Sequence, residues 1–202
     1  MILATLLGCG GPSAAPPTSP PATEVAAMIT DAWSKTPAEV GFAWQMARAA
    51  DALTITYTVD NHGADTLWLA QRMVQTGQGP ARLLDRPVVR TNGRADAALI
   101  VLGQISPDVP VYYVPPPSYQ AVAPGASVQG TLSVPLPLQS WHPVGRVDPL
   151  GAVQSVVFAL DGFYGEPAAW KPLQLADGQT AQVPAYKTRL WIWSDAKPLP
   201  PG

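Results

Sequence analysis

Along residues 53–59 large apolar side chains alternate with threonines, in the order Leu53-Thr54-Ile55-Thr56-Tyr57-Thr58-Val59. A period of two predicts a strand with one face buried and the other open to solvent. Residues 60–65 are rich in turn formers and 66–74 resume an apolar run, so the pair is expected to form a hairpin or the corner of a two-sheet structure. Comparable runs at 82–90, 97–102, 111–114, 120–122, 127–135, 155–160 and 187–193 raise the expectation to about eight to ten short strands. The joints carry breakers: Asn92-Gly93, Pro107-Asp108, Pro115-Pro116-Pro117, Pro124-Gly125 and Asp177-Gly178. Helical spacing occurs once, in Val25, Met28, Ile29 and Ala32, with Thr23 placed to cap and Pro37 to close. A short helix is therefore expected over 23–33.

Many short strands without intervening helices predict an all-β chain, an antiparallel sandwich of two sheets with long loops. It would follow the short helix and a disordered leader. Three parts are expected: a leader segment at 1–9, a proline-rich spacer at 10–22, and a β-domain at 23–202 with an inserted loop near 139–150, where Pro143 and Pro149 stand. Composition supports this division. Twenty-four prolines and 17 glycines among 202 residues leave little room for long helices. Charged residues are only 13% of the chain, so much of the solvated surface must be Thr, Ser, Gln, Asn and backbone. A formal charge of −2 provides no general field to gather nucleic acid.

The single cysteine, Cys9, excludes an internal disulfide and closes a short apolar run. Leu6-Leu7-Gly8-Cys9 resembles the lipobox of bacterial lipoproteins. The resemblance implies that 1–9 is a signal peptide, that Cys9 takes a diacylglycerol and palmitate-type chains, and that cleavage makes it the first mature residue. Gly10, in place of the Asp associated with inner-membrane retention, implies an outer-membrane or cell-surface destination. Two or more acyl chains hold a protein stably where one holds it only reversibly. The extended prolines of 10–22 would form a stiff tether of roughly 3 Å per residue. Since no basic residue precedes the apolar run, the natural start is expected upstream of Met1.

The segments Val59-Asp60-Asn61-His62-Gly63, 67–69, Val122-Ala123-Pro124-Gly125 and Leu132-Ser133-Val134-Pro135 resemble immunoglobulin-like domains of secreted bacterial proteins. The inter-sheet disulfide of antibody domains is not implied, because its cysteines are missing.

Candidate chemistry is sparse. His62 and His142 are the only histidines and neither has metal-ligand spacing with Cys9, so no metal or cofactor is expected. Asp60, His62 and Asp65 suit turn capping better than an oxygen-rich ion site. Asp161 and Glu166, in Asp161-Gly162-Phe163-Tyr164-Gly165-Glu166, are the one carboxylate pair that a glycosidase would use. Trp68, Trp141 and Trp170 offer stacking platforms for a sugar. Trp191 and Trp193 share one face of a strand that is expected to be covered on both faces. Arg82, Arg86, Arg90 and Arg94 recur every four residues and would line one side of a continuous strand, as a guarded edge or as a contact for an acidic partner. The expected function is a lipid-anchored envelope protein, not an enzyme, whose β-domain binds or scaffolds a protein or glycan. The alternative is a carbohydrate-binding or carbohydrate-active protein using the tryptophans and the Asp161/Glu166 loop.

Overall fold

A computed structural model describes residues 36–77, 79–91, 96–105, 116–142, 148–185 and 190–201. The expected helix at 23–33, the strand at 111–114, Arg94 and Cys9 lie outside the described residues. Those that are described form β-structure throughout, with no helix among them. In chain order the strands are β1 (Val40–Arg48), β2 (Ala52–Asn61), β3 (Leu67–Gly77), β4 (Gly79–Leu84), β5 (Val88–Thr91), β6 (Ala97–Leu102), β7 (Ser118–Val122) and β8 (Ser127–Pro135). They continue with β9 (Gln139–Ser140), β10 (Asp148–Pro149), β11 (Ser155–Tyr164), β12 (Trp170–Gln174), β13 (Thr180–Pro184), β14 (Leu190–Trp193) and β15 (Lys197–Pro198).

β1, β2 and β8 make a three-stranded antiparallel sheet in that order. An eight-stranded sheet runs β4-β3-β11-β6-β5, with β14 and β15 against β11 and β7 against β3. β9–β10 and β12–β13 are small separate ladders. The expected turn at 60–65 is a corner and not a hairpin, because β2 and β3 join different sheets. The 139–150 stretch holds the β9–β10 ladder, and Trp141 bridges from there to Val89 of β5.

The two sheets share one core. In β2 the inward side chains Leu53, Ile55, Tyr57 and Val59 are buried, and the threonines between them are only half so. Phe158 of β11 meets this layer with its ring centroid 5.4 Å from Tyr57, 5.8 Å from Trp44 and 6.1 Å from Phe42. Aromatic pairs of this kind contribute about 0.5–1.5 kcal/mol beyond area burial.

The expectation of a wholly antiparallel sandwich is corrected at the centre of the large sheet, where β6 and β11 pair in parallel from Ala97↔Ser155 to Leu102↔Leu160. A parallel pair requires a long crossover, and residues 103–154 supply it. Parallel strands are covered on both faces and read as unbroken apolar runs. Ala97-Ala98-Leu99-Ile100-Val101-Leu102 and Val156-Val157-Phe158-Ala159-Leu160 are such runs, and all eleven of these residues are buried.

A second correction concerns the arginine run. The single strand expected over 82–90 is two, β4 and β5, interrupted at Asp85-Arg86-Pro87. Proline has no N–H for the ladder, so the chain leaves β3 there and joins β6 instead.

Candidate functional site

The outer face of the three-stranded sheet is built mainly from residues with no ionisable chemistry, with Asp60 and His62 standing together at its Gly41 end. Register places Ala43, Thr58 and Gln129 in one row across the strands, then Gln45, Thr56 and Thr131, then Ala47, Thr54 and Ser133. Because β-strand side chains alternate, burying Trp44, Tyr57 and Leu132 turns these neighbours outward. The β1 and β8 members are exposed and the central threonines half-exposed. A shallow concavity of about 510 Å³ runs across the first two rows. Its one acidic neighbour, Asp60, accepts a short hydrogen bond from the Ser127 hydroxyl at the end of the sheet. Hydroxyls and amides of this kind hold a ligand by hydrogen bonds and cannot supply a general acid or base near neutral pH.

The two edges of this sheet differ. Along β1 the C-terminal segment lies against the strand: Thr36 Oγ1 donates to Trp193 O at 2.7 Å, Trp44 Nε1 to Ser194 Oγ at 2.7 Å, and Arg48 to Pro200 O at 3.3 Å. Lys197 Nζ sits 4.8 Å from the Trp44 ring centroid and donates to the Trp44 carbonyl. β8 has β2 on one side and no strand on the other among the described residues. Asn61 N–H donates to Ala126 O and Leu136 N–H to Asp51 O. With the antiparallel register, these bonds turn the even-numbered residues of β8 toward β2. The main-chain groups of Ser127, Gln129, Thr131 and Ser133 therefore point off the free edge.

Gly130 thins the middle of that edge. The Tyr57 ring lies across it, so a Cβ at Gly130 would stand 2.1 Å from Tyr57 Cζ. Under the edge, a crevice of about 250 Å³ is lined by Tyr57, Gln71, Gln120 and the Arg72–Asp85 pair, whose Nε–Oδ1 distance is 2.5 Å. Burial raises the Tyr57 pKa above its usual 10.0.

No protein-family model, curated protein or solved structure matches this chain. The functional reading therefore rests on surfaces.

The residues singled out from sequence do not converge. Arg82 is exposed on β4, while Arg86 stacks its guanidinium 4.6 Å from the Trp141 ring and Arg90 is half-buried on β5. Burial lowers the Arg86 pKa below its usual value. The continuous basic stripe is corrected to separate positions, because β4 and β5 join different partners. Trp141, 9% exposed, lies under Arg86 and offers no open platform. Trp68 and Trp170 do meet, ring centroids 4.7 Å apart and edge-to-face, with Trp68 also stacked on Phe163 at 6.2 Å. Trp191 and Trp193 are half-buried beside the fully buried Ile192, so both faces of β14 are covered as expected.

Asp161 is 0% exposed, and its Oδ2 accepts from the Gln104 N–H at 3.0 Å and the Tyr119 hydroxyl at 3.1 Å. Those bonds tie β11 to the end of β6 and to β7. Glu166 is exposed beyond the turn at Gly165, so the two carboxylates do not share an open face. His142 is buried with Nε2 2.7 Å from Ile105 O, and His62 is exposed. Among the described residues no group of three or more His, Cys, Asp or Glu is placed to hold a metal.

Sequence reasoning passed over Asn61, the residue that organises the corner. Fully buried, its Nδ2 donates to Asp65 O and Val122 O, each at 2.9 Å, and its Oδ1 accepts from Gly63 N–H at 3.0 Å. Asx-turn chemistry is the signal for it, in the run Asp60-Asn61-His62-Gly63. The outer face and the β8 edge were missed for a different reason: Thr, Ser, Gln and Ala announce nothing until register sets them side by side.

Proposed function

We propose that this chain is a lipid-anchored cell-envelope protein whose all-β domain is a non-catalytic binding or scaffolding module. The observation that carries the reading is the outer face of β1-β2-β8, uncharged but for Asp60 and His62 at its Gly41 end, which meets an edge that no strand covers among the described residues. Exposed sheets and their edges are ordinarily protected by Lys, Pro or bulges. On β8 the register is unbroken and the outward residues carry no charge. The Ala, Ser and Thr side chains that make up most of the face, unlike Gln45 and Gln129, also lose little rotamer freedom on contact, which lowers the cost of association.

The domain is immunoglobulin-like only in general plan, with two facing sheets and a β2–β3 corner; the parallel β6–β11 pair departs from that plan. Cys9 as the attachment point rests on the lipobox resemblance. An envelope protein or a glycan is the partner class. The glycan reading draws on Trp68 and Trp170, yet their edge-to-face contact occupies one ring face that a sugar would need.

Two measurements test the proposal. Metabolic labelling with a fatty-acid analogue is expected to mark the full chain and spare Cys9→Ser; equal incorporation would remove the anchor. Cross-linking of the membrane-bound chain to envelope partners is expected to yield a discrete product that Thr56→Lys, at the centre of the outer face, abolishes while the thermal melt stays unchanged. A product indifferent to Thr56→Lys refutes that face as the binding surface.

A further inference from the structure

We infer that the free edge of β8 pairs with β8 of a second copy of this chain, antiparallel and about a two-fold axis through Thr131. The inference rests on the reading of this sheet as an interaction surface and names one occupant for its edge.

Three observations carry it. The first is the row of outward main-chain groups at Ser127, Gln129, Thr131 and Ser133, alternate residues that present an N–H and a C=O with the spacing an antiparallel partner requires. Other edges are less receptive: β1 is covered by the C-terminal segment, and β4 carries Pro80 and Arg82, both exposed.

The second is charge. In a two-fold pairing every residue of a strand meets the same strand reversed, so any charge near the axis faces its own copy. The sequence Ser127-Val128-Gln129-Gly130-Thr131-Leu132-Ser133-Val134-Pro135 contains none. Beneath the edge, the crevice wall presents Arg72 and Asp85 already compensated by each other.

The third is self-complementarity of the side chains. Reversal about Thr131 sets Gln129 opposite Ser133 and Thr131 opposite Thr131 on the outer face, pairs able to exchange side-chain hydrogen bonds. On the inner face Val128 meets Val134, and Gly130 meets Leu132. Because the Tyr57 ring already lies across Gly130, Leu132 of the second copy meets that ring there. Pro135, opposite Ser127, has no N–H and ends the ladder. Two three-stranded sheets would become one continuous sheet whose central outer rows are Ala, Thr, Ser and Gln.

The test uses the full chain carrying Cys9→Ser, which removes the only thiol. Directly opposed hydrogen-bonded residues have Cα atoms about 5.5 Å apart, within the roughly 4.4–6.8 Å a disulfide spans. Under mild oxidation Thr131→Cys is expected to form a covalent dimer, whereas Ser127→Cys and Ser133→Cys, displaced from the axis, stay monomeric. In sedimentation equilibrium Thr131→Lys is expected to weaken association by roughly tenfold or more, from two ammonium groups forced together. Thr131 is exposed, so a thermal melt unchanged from the parent is expected at concentrations low enough that both are monomeric. A chain that sediments as a monomer at every concentration, or cross-linking equal at all three positions, overturns the inference. A monomer that instead captures another polypeptide through β8 overturns it too and gives the edge to a different chain. Failure here leaves the Thr56→Lys cross-linking result standing, and loss of that result leaves the Thr131→Cys dimer standing, so the two readings fall separately.

Discussion

Replacing Gly130 by alanine adds one methyl group where the Tyr57 ring already lies. The new Cβ would be 2.1 Å from Tyr57 Cζ, 2.2 Å from its hydroxyl oxygen and 2.5 Å from Cε1. The ring must move by roughly an ångström or more, and it is wedged against Phe158 at 5.4 Å. Overpacking of this kind costs about 1–3 kcal/mol. Removing glycine's freedom in the unfolded chain returns only about 0.4–1 kcal/mol. The expected net loss is about 1–2 kcal/mol, or a fall in Tm of about 2–8 °C for a domain of this size. Urea unfolding followed by tryptophan fluorescence measures it, in the Thr131→Lys background so that association does not enter. The decisive comparison is with Tyr57→Ala. Without the ring, Gly130→Ala is expected to cost under about 0.5 kcal/mol, a coupling of about 1 kcal/mol or more between the sites. An equal cost in both backgrounds, or a neutral effect with the ring present, refutes the close approach.

Asn61→Ala removes partners from Val122 O, Asp65 O and Gly63 N–H at the β2–β3 corner, and a loss of about 2–4 kcal/mol is expected in the same assay; a change within 0.5 kcal/mol speaks against the corner's role. Burial raises the pKa of Tyr57, and burial with Glu39 nearby raises that of Tyr164, so the folded state resists deprotonation. Their contribution is complete below the unfolded value of about 10 and is lost as pH rises beyond it toward the folded values. Alkaline titration of phenolate absorbance is expected to show delayed ionisation that shrinks in Tyr57→Phe. Deleting residues 197–202 uncovers the β1 edge and removes the Lys197 contact with Trp44; concentration-dependent light scattering is expected, and a truncated chain as monodisperse as the parent argues against an edge guard.

What could be read from the chain depended on whether the controlling contacts were local. β2 and β8 were legible because each buries one face, and β8 has the expected bounds of 127–135. β6 was also found at its bounds, but its uniformly apolar character was the mark of a strand covered on both faces, a clue to parallel pairing that alternation alone does not supply. β1 had the same signal as β2, with Val40, Phe42, Trp44 and Met46 alternating with smaller or polar residues, and was passed over. The arginine spacing misled because Pro87 redirects the chain between two partners. The histidines, tryptophans and carboxylates attracted attention for their chemistry, yet Asp161, Trp141 and His142 spend theirs on holding loops to the large sheet. The candidate surface has the opposite character: residues that are inert singly become a site through register between segments far apart in sequence.

The parallel β6–β11 pair also governs the order in which the chain can fold. β6 is a wholly apolar strand whose central partner emerges only after β7, β8, β9 and β10 have been made. Until then one side of β6 has nothing to pair with, and closing the crossover incurs the loop entropy that slows folds rich in distant contacts. A chain synthesised from its N-terminus thus presents β6 before β11 arrives. In that interval the apolar strand left with an unpaired side is β6.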